Sequence, residues 1–231
     1  MPEISSSQLN SVNRQHIKTH FSHAAPSYEE AAILQKTVAE RVDERLELTT
    51  IEVQTVLDVG SGTGLLTEKV IARYPLAKCF AVDLSESMLL QSQSRLQTPR
   101  FPVLGSTINR FLKNCTFSKN FATKTSATRI NADVYQLPFA DNSVDLIVSN
   151  LMLQWCDDLD AVFAEFRRIL RPEGLLMFTT FGPDTLKELR KAWQTADVDY
   201  EHVNHFIDMH DIGDALIRAG FGQPVMDMEM F

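Results

Sequence analysis

The chain has 231 residues, with 22 Lys and Arg against 30 Asp and Glu, and 44% of it is apolar. That composition is globular, the length suits one domain with a sizeable core, and a net charge of −8 argues against a surface built to wrap nucleic acid. Three cysteines without a CxxC pair argue against a disulfide scaffold or zinc knuckle, and no secretory leader or membrane-length apolar run stands out, so a cytoplasmic protein is expected.

Residues 10–48 contain no glycine, and Ile33, Leu34, Val38, Val42 and Leu46 recur at helical spacing, predicting a helix entered at Pro26-Ser27 with one apolar face. The period then changes. VQTVLDV (53–59) reads as a strand, followed by Gly60, Gly62 and Gly64 and a helical LLTEKVIARY. KCFAVDL (78–84) reads as a second strand, with Ser85 placed to cap the helix ESMLLQSQSRL. Residues 98–129 read as an inserted loop with six basic residues and no acidic one: Arg100, Arg110, Lys113, Lys119, Lys124 and Arg129. Phe101, Phe111, Phe117 and Phe121 are interleaved with them, so the loop is either a dock for an acidic partner, a solvated loop or, least expected, a nucleic-acid contact. VDLIVSN (144–150), a helix near 158–170 and GLLMFTTF (174–181) follow.

Strands alternating with helices, each strand almost wholly apolar, predict an α/β fold: a doubly wound, mostly parallel sheet with both faces covered. Residues 1–231 are expected to form a single domain, with an N-terminal helical lid (1–50), a cofactor-binding core (51–181) and a substrate-side part (182–231). PVMDMEMF (224–231) reads as a strand at which the sequence stops. An exposed sheet edge is therefore expected, with self-association as a homodimer or a mobile C-terminus from about residue 222.

The glycine spacing carries the chemistry. Nicotinamide dinucleotides require GxGxxG, so that a pyrophosphate can rest on a helix N-terminus. Here Gly64 comes one position early, and Asp58, just ahead of the loop, would repel a pyrophosphate and attract an ammonium group. Asp83, at the tip of the second strand beside Leu84, is placed to accept both hydroxyls of a ribose. A ligand with a ribose and an amino acid but no phosphate is S-adenosylmethionine. For its adenine, Asp133 is placed to accept from the exocyclic amine, Val134 to offer its backbone N–H, and Met88 to pack on a ring face. Singly, each has a plainer reading: Asp83 as a capping residue, Asp133 as a turn residue, Met88 as core. His202, His205 and His210 with Asp208 and Asp211 invite a metal reading, but no tight ligand spacing supports one, and DMHDIGDAL looks like a helix capped by Asp208. No metal is expected.

With these motifs in place, the chain resembles the class I methyltransferases and, within them, the biotin-pathway BioC group of malonyl-acyl-carrier-protein O-methyltransferases. The cofactor motifs are general to methyltransferases. HFSHAAPSYEEAAILQ (20–35), SNLMLQWCDDL (149–159) and HVNHFIDMHDIGDALIRAGFGQPVMDME (202–229) are more specific. The resemblance implies a Rossmann-like fold and methylation of the free carboxylate of malonyl-acyl carrier protein or malonyl-CoA, en route to pimelate. It departs from the family in the long basic insert and in the absence of a closing strand and helix after PVMDMEMF. A carboxylate is already ionised at pH 7, so the reaction needs alignment and a group to orient the acceptor. Tyr28, then His20 and His23, are the candidates in the lid, and Asn150, Gln154 and Trp155 are candidates to line the cleft; Asn150 is also expected to touch the cofactor. Tyr28 equally suits ordinary packing on its helix, and for Trp155 core packing is the favoured reading. The rival class is a methyltransferase fold that acts as an assembly or binding factor, as in a mitochondrial complex I assembly factor of similar sequence, and a third reading is transfer to another small carboxylate.

Overall fold

A computed structural model describes residues 14–25, 27–96, 126–196 and 206–231. Three helices come first: α1 (Arg14–Ala24), α2 (Tyr28–Ala31) and α3 (Ile33–Glu47). The sheet strands are β1 (Thr55–Val59), β2 (Lys78–Asp83), β3 (Ala127–Asn131), β4 (Val144–Asn150) and β5 (Leu170–Thr179). Between and after them lie α4 (Leu65–Arg73), α5 (Glu86–Gln91), α6 (Gln93–Leu96), α7 (Leu159–Ile169), α8 (Lys187–Ala196) and α9 (Met209–Arg218). Among the described residues, no helix is long and apolar enough to cross a membrane.

The five strands run parallel in the order β3-β2-β1-β4-β5. The central strands β1 and β4 and most of β2 are largely apolar on both faces because both are covered. Val56, Ala81, Leu146 and Val148 pack towards Ala39, Val42 and Leu46 of α3 and Leu66 and Val70 of α4. Leu57, Val59, Val82 and Ile147 pack towards Val162, Phe163 and Phe166 of α7 and Ile212 and Leu216 of α9. Strand order reverses between β1 and β4, and the crevice outside the carboxyl ends at such a point is where open α/β sheets bind ligands. The glycine loop opens there.

Several expectations need correction. The helix predicted from residue 26 breaks at Ala32, and Ile33 is 72% exposed, so the apolar face is built from Val38, Ala39, Val42 and Leu46. Residues 127–129, assigned to the insert, belong to β3, where Arg129 donates to the Leu89 carbonyl; the rest of the insert, 98–125, lies outside the described residues. PVMDMEMF forms no strand. Its alternating acids turn instead to α3, where Arg45 pairs with Asp227 and Glu229 at 2.6 Å each and Arg41 pairs with Glu229 at 3.4 Å.

Candidate cofactor site at the strand tips

The loop after β1 is stapled to the tip of β2. Gly60 and Ser61 donate their N–H groups to the Val82 carbonyl at 2.9 and 3.0 Å, and Gly62 N–H reaches Asp83 Oδ2 at 2.8 Å. Asp83 Oδ1 accepts from Ser85 N–H at 2.8 Å, and Asn131 Nδ2 donates to the carbonyls of Asp83 and Leu84. Ser85 in turn caps α5 through Met88 N–H, and Met88 itself is buried. The Asp83 carboxylate thus ties the glycine loop to Ser85, the residue that caps α5.

The glycines serve different needs. All three have positive φ, a region that side chains with a Cβ avoid. A Cβ on Gly60 would collide with Met152 Cγ, whereas one on Gly62 would meet nothing within 4 Å. Gly62 therefore borders open space, and Gly60 is a packing requirement.

Asp58 is 1% exposed, on the face of β1 that meets α4. Thr67 Oγ1 donates to its Oδ2 at 2.6 Å, while its Oδ1, together with Ser61 Oγ and Thr63 Oγ1, is buried without a partner among the described residues. Burial pushes the Asp58 carboxyl up to about 7, the nearby Asp83 charge adding to the rise and the Thr67 bond opposing it. Burial also raises Asp83, against the bonds from Ser85 and Gly62. A buried carboxyl with an orphan oxygen, beside a half-buried second one, makes a poor seat for phosphate and a good one for a cation.

α1 lies across these tips. Ser22 Oγ is 3.0 Å from Ser85 Oγ, and Phe21 packs edge-on against Trp155 at 5.3 Å and Tyr28 at 6.3 Å. Arg14 Nη1 meets Asp133 Oδ2 at 3.3 Å, with its guanidinium 4.2 Å from the Tyr135 ring centre. Asp133 Oδ1 accepts from Tyr135 N–H, the turn role, and half-buried Val134 packs on the core. Tyr28 is half-buried, its hydroxyl raised above the ordinary range by burial and by the Asp83 charge. His20 and His23 are exposed on α1. The Asn150 amide is engaged on both ends: Nδ2 donates to the Gln35 carbonyl at 3.0 Å, and Oδ1 accepts from Thr179 Oγ1 at 2.9 Å. Gln154 bonds the Leu151 carbonyl and Thr180. Arg14, Ser22, Thr67 and Thr179 escape sequence reading; only Thr67, a hydroxyl on the buried face of α4, leaves a local trace.

Residues 57–178, from β1 to β5, match the family described as a methyltransferase domain. The malonyl-acyl-carrier-protein O-methyltransferase of Nitrosospira multiformis is 46% identical over 94% of this chain and 68% of its own length. The chain belongs to this methyltransferase family. A second relative of the same description, from Gallionella capsiferriformans, is 42% identical over 94% of this chain and 68% of that protein. Solved methyltransferases share the fold. A SAM-dependent methyltransferase of Thermotoga maritima superposes with a TM-score of 0.57 at 18% identity, over 88% of this chain and 80% of that one. Phosphoethanolamine N-methyltransferase 2 of Haemonchus contortus, in complex with S-adenosyl-L-methionine, gives 0.56 at 20% identity, over 79% and 36%. In the methyltransferase described here, the family's sheet carries the glycine loop and the two carboxylates at its reversal point.

Proposed function

We propose that this methyltransferase uses S-adenosylmethionine to esterify the free carboxylate of a malonyl thioester, on acyl carrier protein or coenzyme A, in the pimelate branch of biotin synthesis. The observation that carries the cofactor half is the pairing of Gly62, bordering open space, with buried Asp58 and half-buried Asp83. The relatives' described activity supports the substrate half.

When bound, the cofactor supplies an electrophilic methyl group. The protein's work is alignment and exclusion of water, since the acceptor carboxylate is ionised at pH 7 without a base. Asp83 accepts from the ribose hydroxyls, Asp58 faces the amino group, and Asp133 with Val134 and Met88 takes the adenine. Tyr28 is the donor that orients the acceptor: its phenol stays protonated, and Phe21 and Trp155 brace it from the side. Asn150 acts through its bonds to Gln35 and Thr179, tying the start of α3 to the strand tips. In this reading residues 1–50 are a lid on the core 51–181, residues 182–231 face the substrate, and the free edge of β5 is the surface for self-association in the cytoplasm.

The test offers labelled S-adenosylmethionine with malonyl-carrier, malonyl-CoA and free malonate in parallel. Label is expected in a thioester-borne methyl ester. A protein that binds the cofactor yet labels none of the three would be a binding factor of methyltransferase fold.

A further inference from the structure

One loop touches several parts of the proposed site. Residues 151–158 join β4 to α7, with Met152 lying against Gly60 and Trp155 meeting Phe21 of α1 edge-on. Phe21 in turn packs on Tyr28, so the placement of this loop reaches the residue proposed to orient the acceptor. The loop starts under strain: Leu151 has a φ of 52°, a left-handed conformation that a leucine disfavours. A residue persists in such a conformation only where its surroundings fix it. At this end Thr179 does so, its carbonyl and its Oγ1 both accepting from Leu151 N–H at 3.1 Å.

At the other end a single side-chain oxygen gathers the backbone. Tyr135 Oη accepts from the N–H groups of Asp157 and Asp158 at 3.1 and 3.2 Å and donates to Asp157 Oδ1 at 2.6 Å. A phenol has one proton to donate and lone pairs to accept, and here both functions are engaged. Burial raises the hydroxyl above its ordinary range, so it keeps the proton that this donation needs. The ring beneath is held in place, packed on the core and faced by the Arg14 guanidinium. Its backbone serves the other side of the site: Tyr135 N–H donates to Asp133 Oδ1 at 3.1 Å, in the turn proposed to take the adenine. α7 itself does not require the hydroxyl, because Asp158 caps that helix by accepting from Ala161 N–H at 2.9 Å.

We infer that Tyr135 is a positioning residue for methyl transfer: its hydroxyl fixes the loop 151–158, and with it Trp155, so that the wall beside Tyr28 is set before the acceptor arrives. This rests on the proposed role of Tyr28 in transfer to a malonyl thioester. Tyr135 acts through the loop rather than on a ligand. Loss of its hydroxyl therefore costs alignment, while the backbone bond to Asp133 and the contacts of Gly62 keep the cofactor bound.

The test is Tyr135→Phe in the full chain, which retains the ring, its Arg14 contact and its backbone N–H. Single-turnover transfer to the thioester that wild type labels is expected to slow about 10- to 100-fold per folded molecule, with affinity for S-adenosylhomocysteine within about twofold of wild type. A second readout needs no activity. The chain has two tryptophans, so in a Trp193→Phe background the emission comes from Trp155 alone. Acrylamide is expected to quench that emission more readily once the Tyr135 hydroxyl is gone. Unchanged transfer, or unchanged quenching, would overturn the assignment. So would a parallel loss of transfer, cofactor affinity and melting temperature, which would make Tyr135 a packing residue. If wild type labels no thioester, the transfer reading fails, and the quenching comparison alone then decides whether Tyr135 holds the loop.

Discussion

Thr67 Oγ1 donates to Asp58 Oδ2 at 2.6 Å, and the second oxygen of that carboxylate is buried with no partner among the described residues. One bond does not replace the water an ionised carboxylate gives up, so burial pushes the group up to about 7, well above the ordinary carboxylate range. Between about pH 4 and 7 the folded chain therefore holds a proton that the unfolded chain has released. Stability from this group is fully present below that window and falls as pH rises through it, and the upward shift of Asp83 adds in the same sense. Asp58→Asn removes the titrating group. Urea midpoints measured from pH 4 to pH 8 should fall less steeply with pH in the variant than in wild type; parallel curves would mean Asp58 is ionised throughout.

A cationic ligand reverses the balance at Asp58 by favouring the charged form. Binding S-adenosylmethionine near pH 7 should therefore expel a proton. Calorimetric titrations in two buffers of different ionisation enthalpy should give different apparent heats for wild type and matching heats for Asp58→Asn. Matching heats in both proteins would leave the amino group with another partner.

Gly60 and Gly62 separate packing from ligand contact. Alanine at either meets a backbone cost of roughly 1–2 kcal/mol at positive φ. Gly60→Ala adds a collision with Met152, about 1–3 kcal/mol more, and should lower the melting temperature most. Gly62→Ala should stay closer to wild type in stability yet lose most of its affinity for S-adenosylhomocysteine, because its methyl group occupies the open side of the loop. Undiminished affinity would move the ligand elsewhere.

For Tyr28→Phe, turnover is expected to drop about 10- to 100-fold, the worth of roughly 1.5–3 kcal/mol for a hydrogen bond to a charged group. Cofactor affinity should not change. The raised phenol also predicts no loss of wild-type turnover from Tyr28 as pH climbs towards 10. Full activity in the phenylalanine variant would reduce Tyr28 to its edge contact with Phe21.

What was legible in the chain is what leaves a local signature. β1, β2 and β4 announce themselves as apolar runs, Ser85 and Asp208 cap the helices they precede, and Asp83 follows from its place at a strand tip. Contacts between distant segments leave no such signature. Arg14 and Asp133 are 119 positions apart, and nothing near either one predicts their ion pair. Asn150 looks like a free cleft residue until Gln35 and Thr179 take both ends of its amide. The tail misleads for the same reason: Met226, Met228 and Met230 alternate like a strand, but Asp227 and Glu229 find Arg45, far away in sequence on α3.

The central claim is methyl transfer to a malonyl carboxylate at the site beside Asp83, and a single-turnover experiment reaches it most directly. Excess protein is mixed with methyl-labelled S-adenosylmethionine and malonyl-carrier, quenched, and the label traced. The account predicts label on the malonyl group as a base-labile methyl ester, with Asp83→Ala abolishing it by losing the cofactor. Unlabelled malonyl-carrier alongside protein that has bound the cofactor would contradict it.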